Sequence, residues 1–133
     1  MHTFIKNILS FSIILLGFTT AHAANFKIAD LVGKYVITHP QFPVVNEVTI
    51  TKRGTVTLVE KSKAGTLACR GKAKITENVL ESNVTCKKSE NKIQFTQRIN
   101  LKDVTDLKNF SAPVFSSLYD MELIMNFKLI EQK

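Results

Sequence analysis

Tryptophan is absent from the 133 residues, and cysteine, with two, proline, with three, and glycine, with five, are sparse. Two cysteines cannot furnish a cysteine-based zinc site, and Cys69 and Cys86 stand too far apart for a two-residue redox motif. His2 and His22 lie in the N-terminal segment, so the rest of the chain holds His39 alone. A His-pair metal site is thereby excluded, and any serine or cysteine triad would depend on that one residue, which sits in the loop-like run His-Pro-Gln-Phe-Pro. The glycines form no phosphate-cradling loop, and no internal repeat or low-complexity stretch is visible. Carboxylate pairs such as Asp103 with Asp106, or Asp120 with Glu122, are what a chain of this charge content supplies by chance. No catalytic residue, cofactor or metal ligand emerges, and the expectation is a non-enzymatic protein.

What is present begins with a three-part N-terminus: Lys6, an apolar run from Ile8 to Phe18, and the small-residue site Ala21-His22-Ala23. This pattern predicts a signal peptide over residues 1–23, cleaved between Ala23 and Ala24, and a periplasmic or secreted product. The run is only about half the roughly 20 residues that a membrane-crossing helix needs. No later run reaches that length, so the mature chain is expected to have no transmembrane span. Residues 24–133 are one modest domain. The chain carries +7, and losing Lys6 leaves about +6, a balance that favours anionic surfaces without specifying a fold.

Apart from the apolar stretch Phe26 to Leu31, which suits a short helical turn plugging one end, the mature chain alternates at period two and is rich in Val, Ile, Thr and Phe. Strands are predicted at Gly33–Thr38, Asn46–Thr51, Thr55–Glu60, Gly65–Thr76, Val79–Lys87, Lys92–Lys102 and Ser117–Ile130. Short polar turns at regular spacing make this an all-β antiparallel up-and-down meander of about seven or eight strands, closing into a small barrel or a sandwich. Asp103–Ser116 fits no element: Pro113 argues against a central strand, and Asp106 is positioned to cap a short helix through Asn109.

The turns specify registers. A three-residue loop Lys52-Arg53-Gly54 sets Ile50 opposite Val56 and Val48 opposite Leu58, with Gly54 left-handed. A two-residue loop Glu77-Asn78 pairs Thr76 with Val79 and, following the ladder, Lys74 with Glu81, Gly71 with Val84 and Cys69 with Cys86. The cysteines then face each other at a non-hydrogen-bonded position with Cα atoms about 4.5 Å apart, within disulfide range. In an exported protein they read as a structural disulfide.

On the last predicted strand, Tyr119, Met121, Leu123, Met125 and Phe127 share one face, and Phe95 belongs to a similar stripe on the strand before. These six either fill the core or line a cavity. A second candidate surface is basic: Arg70, Lys72 and Lys74 alternate along one strand face, with Lys52 and Arg53 in a neighbouring turn. It suits an anionic envelope component or an acidic protein; nucleic acid is disfavoured because the face lacks aromatic stacking platforms. Asn83-Val84-Thr85 and Asn109-Phe110-Ser111 match the glycosylation sequon. An outer-membrane barrel is disfavoured by the absence of tryptophan girdles and by cations where lipid would lie.

Gly33-Lys34-Tyr35, opening the first strand after a short apolar turn, resembles the Gly-x-Trp motif of the calycin or lipocalin-like barrels, with Tyr35 in the place of the tryptophan. The resemblance implies an up-and-down barrel with a small apolar interior. The functional expectation is an exported binding protein holding a small hydrophobic ligand. The alternative is an envelope or secreted interaction protein, or an inhibitor, working through the basic face.

Overall fold

The computed structural model describes residues 25–43, 45–88 and 90–132. The predicted signal peptide and its cleavage point lie outside them. Eight antiparallel strands follow one another in chain order: β1 (Gly33–Thr38), β2 (Val45–Ile50), β3 (Thr55–Ser62), β4 (Gly65–Thr76), β5 (Val79–Lys88), β6 (Asn91–Asn100), β7 (Asn109–Ser116) and β8 (Met121–Glu131). Each pairs with the next, and β8 returns to β1, so the sheet is a closed barrel. Closure leaves no free edge, which resolves the choice between barrel and sandwich that alternation alone leaves open.

The two turn-based registers are present as expected. Ile50 faces Val56 and Val48 faces Leu58, with Gly54 at φ +81° in the turn. Glu77 and Asn78 both adopt left-handed φ, as a two-residue hairpin loop of type I′ requires, and the ladder runs from Thr76–Val79 to Cys69–Cys86. Cys69 and Cys86 form a disulfide whose Cα atoms are 3.9 Å apart. Two positions along, an added Cβ at Gly71 would run into the backbone of Asn83 and Val84, so only glycine fits where β4 presses on β5.

Three expectations are corrected. Asn109–Ser116 is a strand despite Pro113. The ladder between β6 and β7 has only three pairs, ending at Val114, so Pro113 lies just outside it and breaks no bond to β6. Asp106 caps no helix; its Oδ1 accepts from the Lys108 amide at 2.9 Å in a local turn. The last strand starts at Met121, because residues 117–120 form the β7–β8 turn, with Asp120 left-handed and its amide bonded to the Ser116 carbonyl.

Because successive strands reverse, the connections alternate between two ends, and the ends differ. At one end the 3-10 turn Ile28–Leu31 and the β6–β7 loop lie beneath the barrel, with Leu31, Leu101 and Val104 all buried. Backbone bonds tie this plug down: the Phe26 amide donates to Asn78 Oδ1 and the Leu101 amide to the Asn78 carbonyl, each at 2.8 Å. Above the plug, Tyr35 packs edge-on to Phe110, which stacks on Phe127 with centroids 4.6 Å apart. Only about 20 Å³ is empty here. The other end, where the β1–β2, β3–β4, β5–β6 and β7–β8 connections lie, has no such plug among the described residues.

Candidate functional site

The open half of the barrel contains a chamber of about 100 Å³. Strand parity builds it: inward residues alternate with outward ones, so β8 contributes Met121, Leu123, Met125 and Phe127, β6 contributes Phe95, Gln97 and Ile99, and β7 contributes Val114 and Ser116. All six residues that the apolar stripes single out, Phe95, Tyr119, Met121, Leu123, Met125 and Phe127, line this one chamber. Tyr119 does so from the β7–β8 turn, not from a strand, and is 61% exposed.

Toward solvent the chamber adjoins a vestibule of about 270 Å³ bounded by His39, Phe42, Asn46, Glu60, Tyr119, Met121, Leu123 and Met125. His39 is fixed in the β1–β2 loop, its Nδ1 accepting from the Gln41 amide at 3.0 Å and its ring stacked on Phe42 at 4.4 Å. Five of the seven large apolar side chains that stand exposed among the described residues, Phe42, Val45, Leu118, Tyr119 and Met121, lie on the side of this opening where the β1–β2 and β7–β8 connections lie.

A few polar groups interrupt the apolar lining. Asn46 Oδ1 is buried and has no hydrogen-bond partner among the described residues. Glu60 lies beside it in the β2–β3 ladder and makes no ion pair among the described residues. Burial and then the nearby Glu60 charge push the Tyr119 phenol above its ordinary value. Among the described residues, neither lysine nor arginine lines the chamber or vestibule. Asn46 and Glu60 were legible as inward residues, since they share parity with Val48 and with Leu58; polarity alone hid them.

The basic candidates occupy the outer wall. Arg70, Lys72 and Lys74 point outward from β4, and the Ala73 amide bonds the Gly54 carbonyl at 2.8 Å, drawing the turn that bears Lys52 and Arg53 against that strand. Lys72 Nζ donates to Thr55 Oγ1 at 3.3 Å, and Lys74 meets Glu81 at 3.8 Å, as the register requires. Glu81 also receives Arg98 Nε at 3.1 Å, so one acid is shared by two cations. On β2, hydrogen bonds from Lys61 and Lys34 hold the half-buried Glu47 carboxyl below the usual carboxylate range.

Comparisons with protein-family models, with curated proteins and with solved structures find no match to this chain. The chemistry of the site is therefore read from its own residues. No group of three metal-ligating side chains occurs among the described residues. The chamber presents hydrocarbon, thioether and aromatic surface with acceptor oxygens near its mouth, an arrangement that holds a guest by apolar burial and orients it by one or two hydrogen bonds.

Proposed function

We propose that this chain is an exported, non-enzymatic binding protein that carries a small apolar ligand in the open half of its barrel, in the manner of the lipocalin-like proteins that its first strand resembles. The observation that carries the reading is the asymmetry of the interior: one half is plugged and filled, while the other keeps an apolar chamber that continues into a vestibule bordered on one side by exposed apolar side chains. A cavity of about 150 Å³ can hold benzene, and drug-sized ligands occupy roughly 300–1,000 Å³. The chamber suits the end of an alkyl chain or a small ring, with the rest of the ligand in the vestibule. Met121 and Met125, flexible and polarizable, adapt its shape. With neither lysine nor arginine in the lining among the described residues, the site suits a ligand that is neutral or ends in a hydrogen-bond donor that meets Asn46 Oδ1 or Glu60. Tyr35, buried against Phe110 above the plug, supports that reading.

The test is native mass spectrometry of the exported protein beside the denatured mass of the same sample. An excess mass lost on organic extraction supports carriage and gives the ligand's mass. A native mass equal to the bare chain, together with no uptake of added long-chain alcohols, refutes it.

A second reading rests on the outer wall, where Arg70, Lys72 and Lys74 have Glu81 as their one acidic cross-strand neighbour. It makes the protein an interaction module for an anionic envelope component or an acidic protein. Charge reversal at Arg70 and Lys72 is then expected to abolish a salt-sensitive association, and binding unchanged between low and high salt would count against it.

A further inference from the structure

The rim of the open end is divided by chemistry. On the side of the β1–β2 and β7–β8 connections it is apolar: Phe42, Leu118, Tyr119 and Met121 are between 39% and 61% exposed. On the side of the β3–β4 and β5–β6 connections it is cationic: Lys63 occupies one turn, and Lys87, Lys88 and Lys92 flank the other. Lys87 is paired directly with Lys92 across the β5–β6 ladder, and both are exposed. Like charges directly opposed across a ladder are destabilising. None of the four makes an ion pair among the described residues, and Glu47 and Glu81, the acids bound by cations, belong to other rows of the barrel. Glu90 lies in the β5–β6 turn beside these lysines and makes no ion pair among the described residues, so the fold presents, on one end, a net-positive cluster beside apolar side chains that water does not favour.

We propose that this end docks on an anionic phospholipid bilayer, its apolar half entering the headgroup region and its lysines meeting lipid phosphates. Each half supplies what a bilayer surface offers: apolar side chains gain by burial at the acyl boundary, an amphipathic tyrosine suits the interface, and clustered lysines are attracted by anionic headgroups. Charge complementarity favours lipid over an apolar protein groove, which would have to bury the lysines unpaired. The inference rests on the carriage reading for its purpose, since an apolar guest resides in membranes and the docked end is the one through which the chamber opens, but its test is separate.

The experiment is co-sedimentation of the purified protein, after removal of residues 1–23, with phosphatidylglycerol–phosphatidylcholine vesicles and with pure phosphatidylcholine. The comparison uses Leu118→Asp, the pair Lys63→Glu/Lys92→Glu, and the charge-matched pair Lys52→Glu/Arg53→Glu at the opposite end. The wild type is expected to bind the anionic vesicles and to lose binding as salt rises. The Lys63/Lys92 pair should weaken binding by on the order of 30-fold and the Lys52/Arg53 pair by under threefold. Leu118→Asp should weaken it at least tenfold, because it removes apolar contact and adds a charge that anionic headgroups repel. All these side chains are exposed, so thermal unfolding should be little changed. Equal losses for the two charge pairs would mean diffuse attraction and overturn the proposal, as would an absence of vesicle binding. Full binding by Leu118→Asp would overturn it too, leaving the apolar rim to a protein partner. Native mass spectrometry of the wild type keeps the two readings apart: ligand uptake without vesicle binding refutes docking and upholds carriage, and vesicle binding with no ligand uptake upholds docking and refutes carriage.

Discussion

Replacing both cysteines, Cys69→Ala with Cys86→Ala, separates two contributions that the disulfide makes. The bridge spans a sequence separation of 17 residues, and closing a loop of that size removes unfolded-chain entropy worth about 3 kcal/mol. The sulfurs also pack: Cys69 is 3% exposed and Cys86 fully buried, so deleting two buried sulfur atoms costs about 1 kcal/mol apiece. The double variant should therefore lose about 5 kcal/mol, whereas the reduced wild type, which keeps its sulfurs, should lose about 3. For a domain of about 110 residues, 1 kcal/mol corresponds to about 4 °C, so the expected falls in Tm are roughly 20 °C and 12 °C. Thermal and urea unfolding followed by circular dichroism, with and without reductant, reads both. The urea slope should also rise on reduction, because an uncrosslinked chain exposes more surface when unfolded. A reduced protein within about 1 kcal/mol of the oxidised form would refute the reasoning, and would mean that the β4–β5 hairpin persists in the denatured chain.

Burial raises the Tyr35 phenol from 10.0 to about 12, and Tyr119 is raised as well. For a group whose neutral form is favoured by folding, the stabilisation is complete below the unfolded value and is lost as pH climbs through the folded one; stability should fall by about 2 kcal/mol from pH 10 to 12. These are the two tyrosines in the chain, so an ultraviolet titration should show one step for each, and Tyr35→Phe should flatten the alkaline limb of stability. Leu123 borders both the chamber and the vestibule, so Leu123→Trp should place an indole in the cavity at a cost of about 1 kcal/mol. Being the sole tryptophan, it should emit as a shielded indole, and apolar-ligand uptake should drop by about tenfold or more; unchanged uptake would remove the chamber as the binding site. Gly71→Ala should destabilise by about 3 kcal/mol, since its methyl meets backbone and not a yielding side chain, and a shift in urea midpoint near zero would refute that close approach.

Which features were legible before any coordinates follows from the range of the forces that set them. Period-two alternation, the left-handed demands of Gly54 and of Glu77-Asn78, and the ladder that brings Cys69 to Cys86 are all local, and a one-residue slip would turn every inward side chain outward. The sequence by itself therefore determined the strand class, two hairpin registers, the disulfide and the six apolar candidates for the lining. The return of β8 to β1 is non-local, since closure depends on strand number, tilt and stagger together. The same stagger limits β6 and β7 to three pairs, which is why Pro113 sits in a strand and why residues 103–116 resisted assignment. Tertiary structure alone decided that Tyr119 reaches the chamber from a turn, and that one end is plugged and the other open. Such choices rest on which loops meet across the barrel, and residues far apart in the chain carry no periodic trace of meeting there.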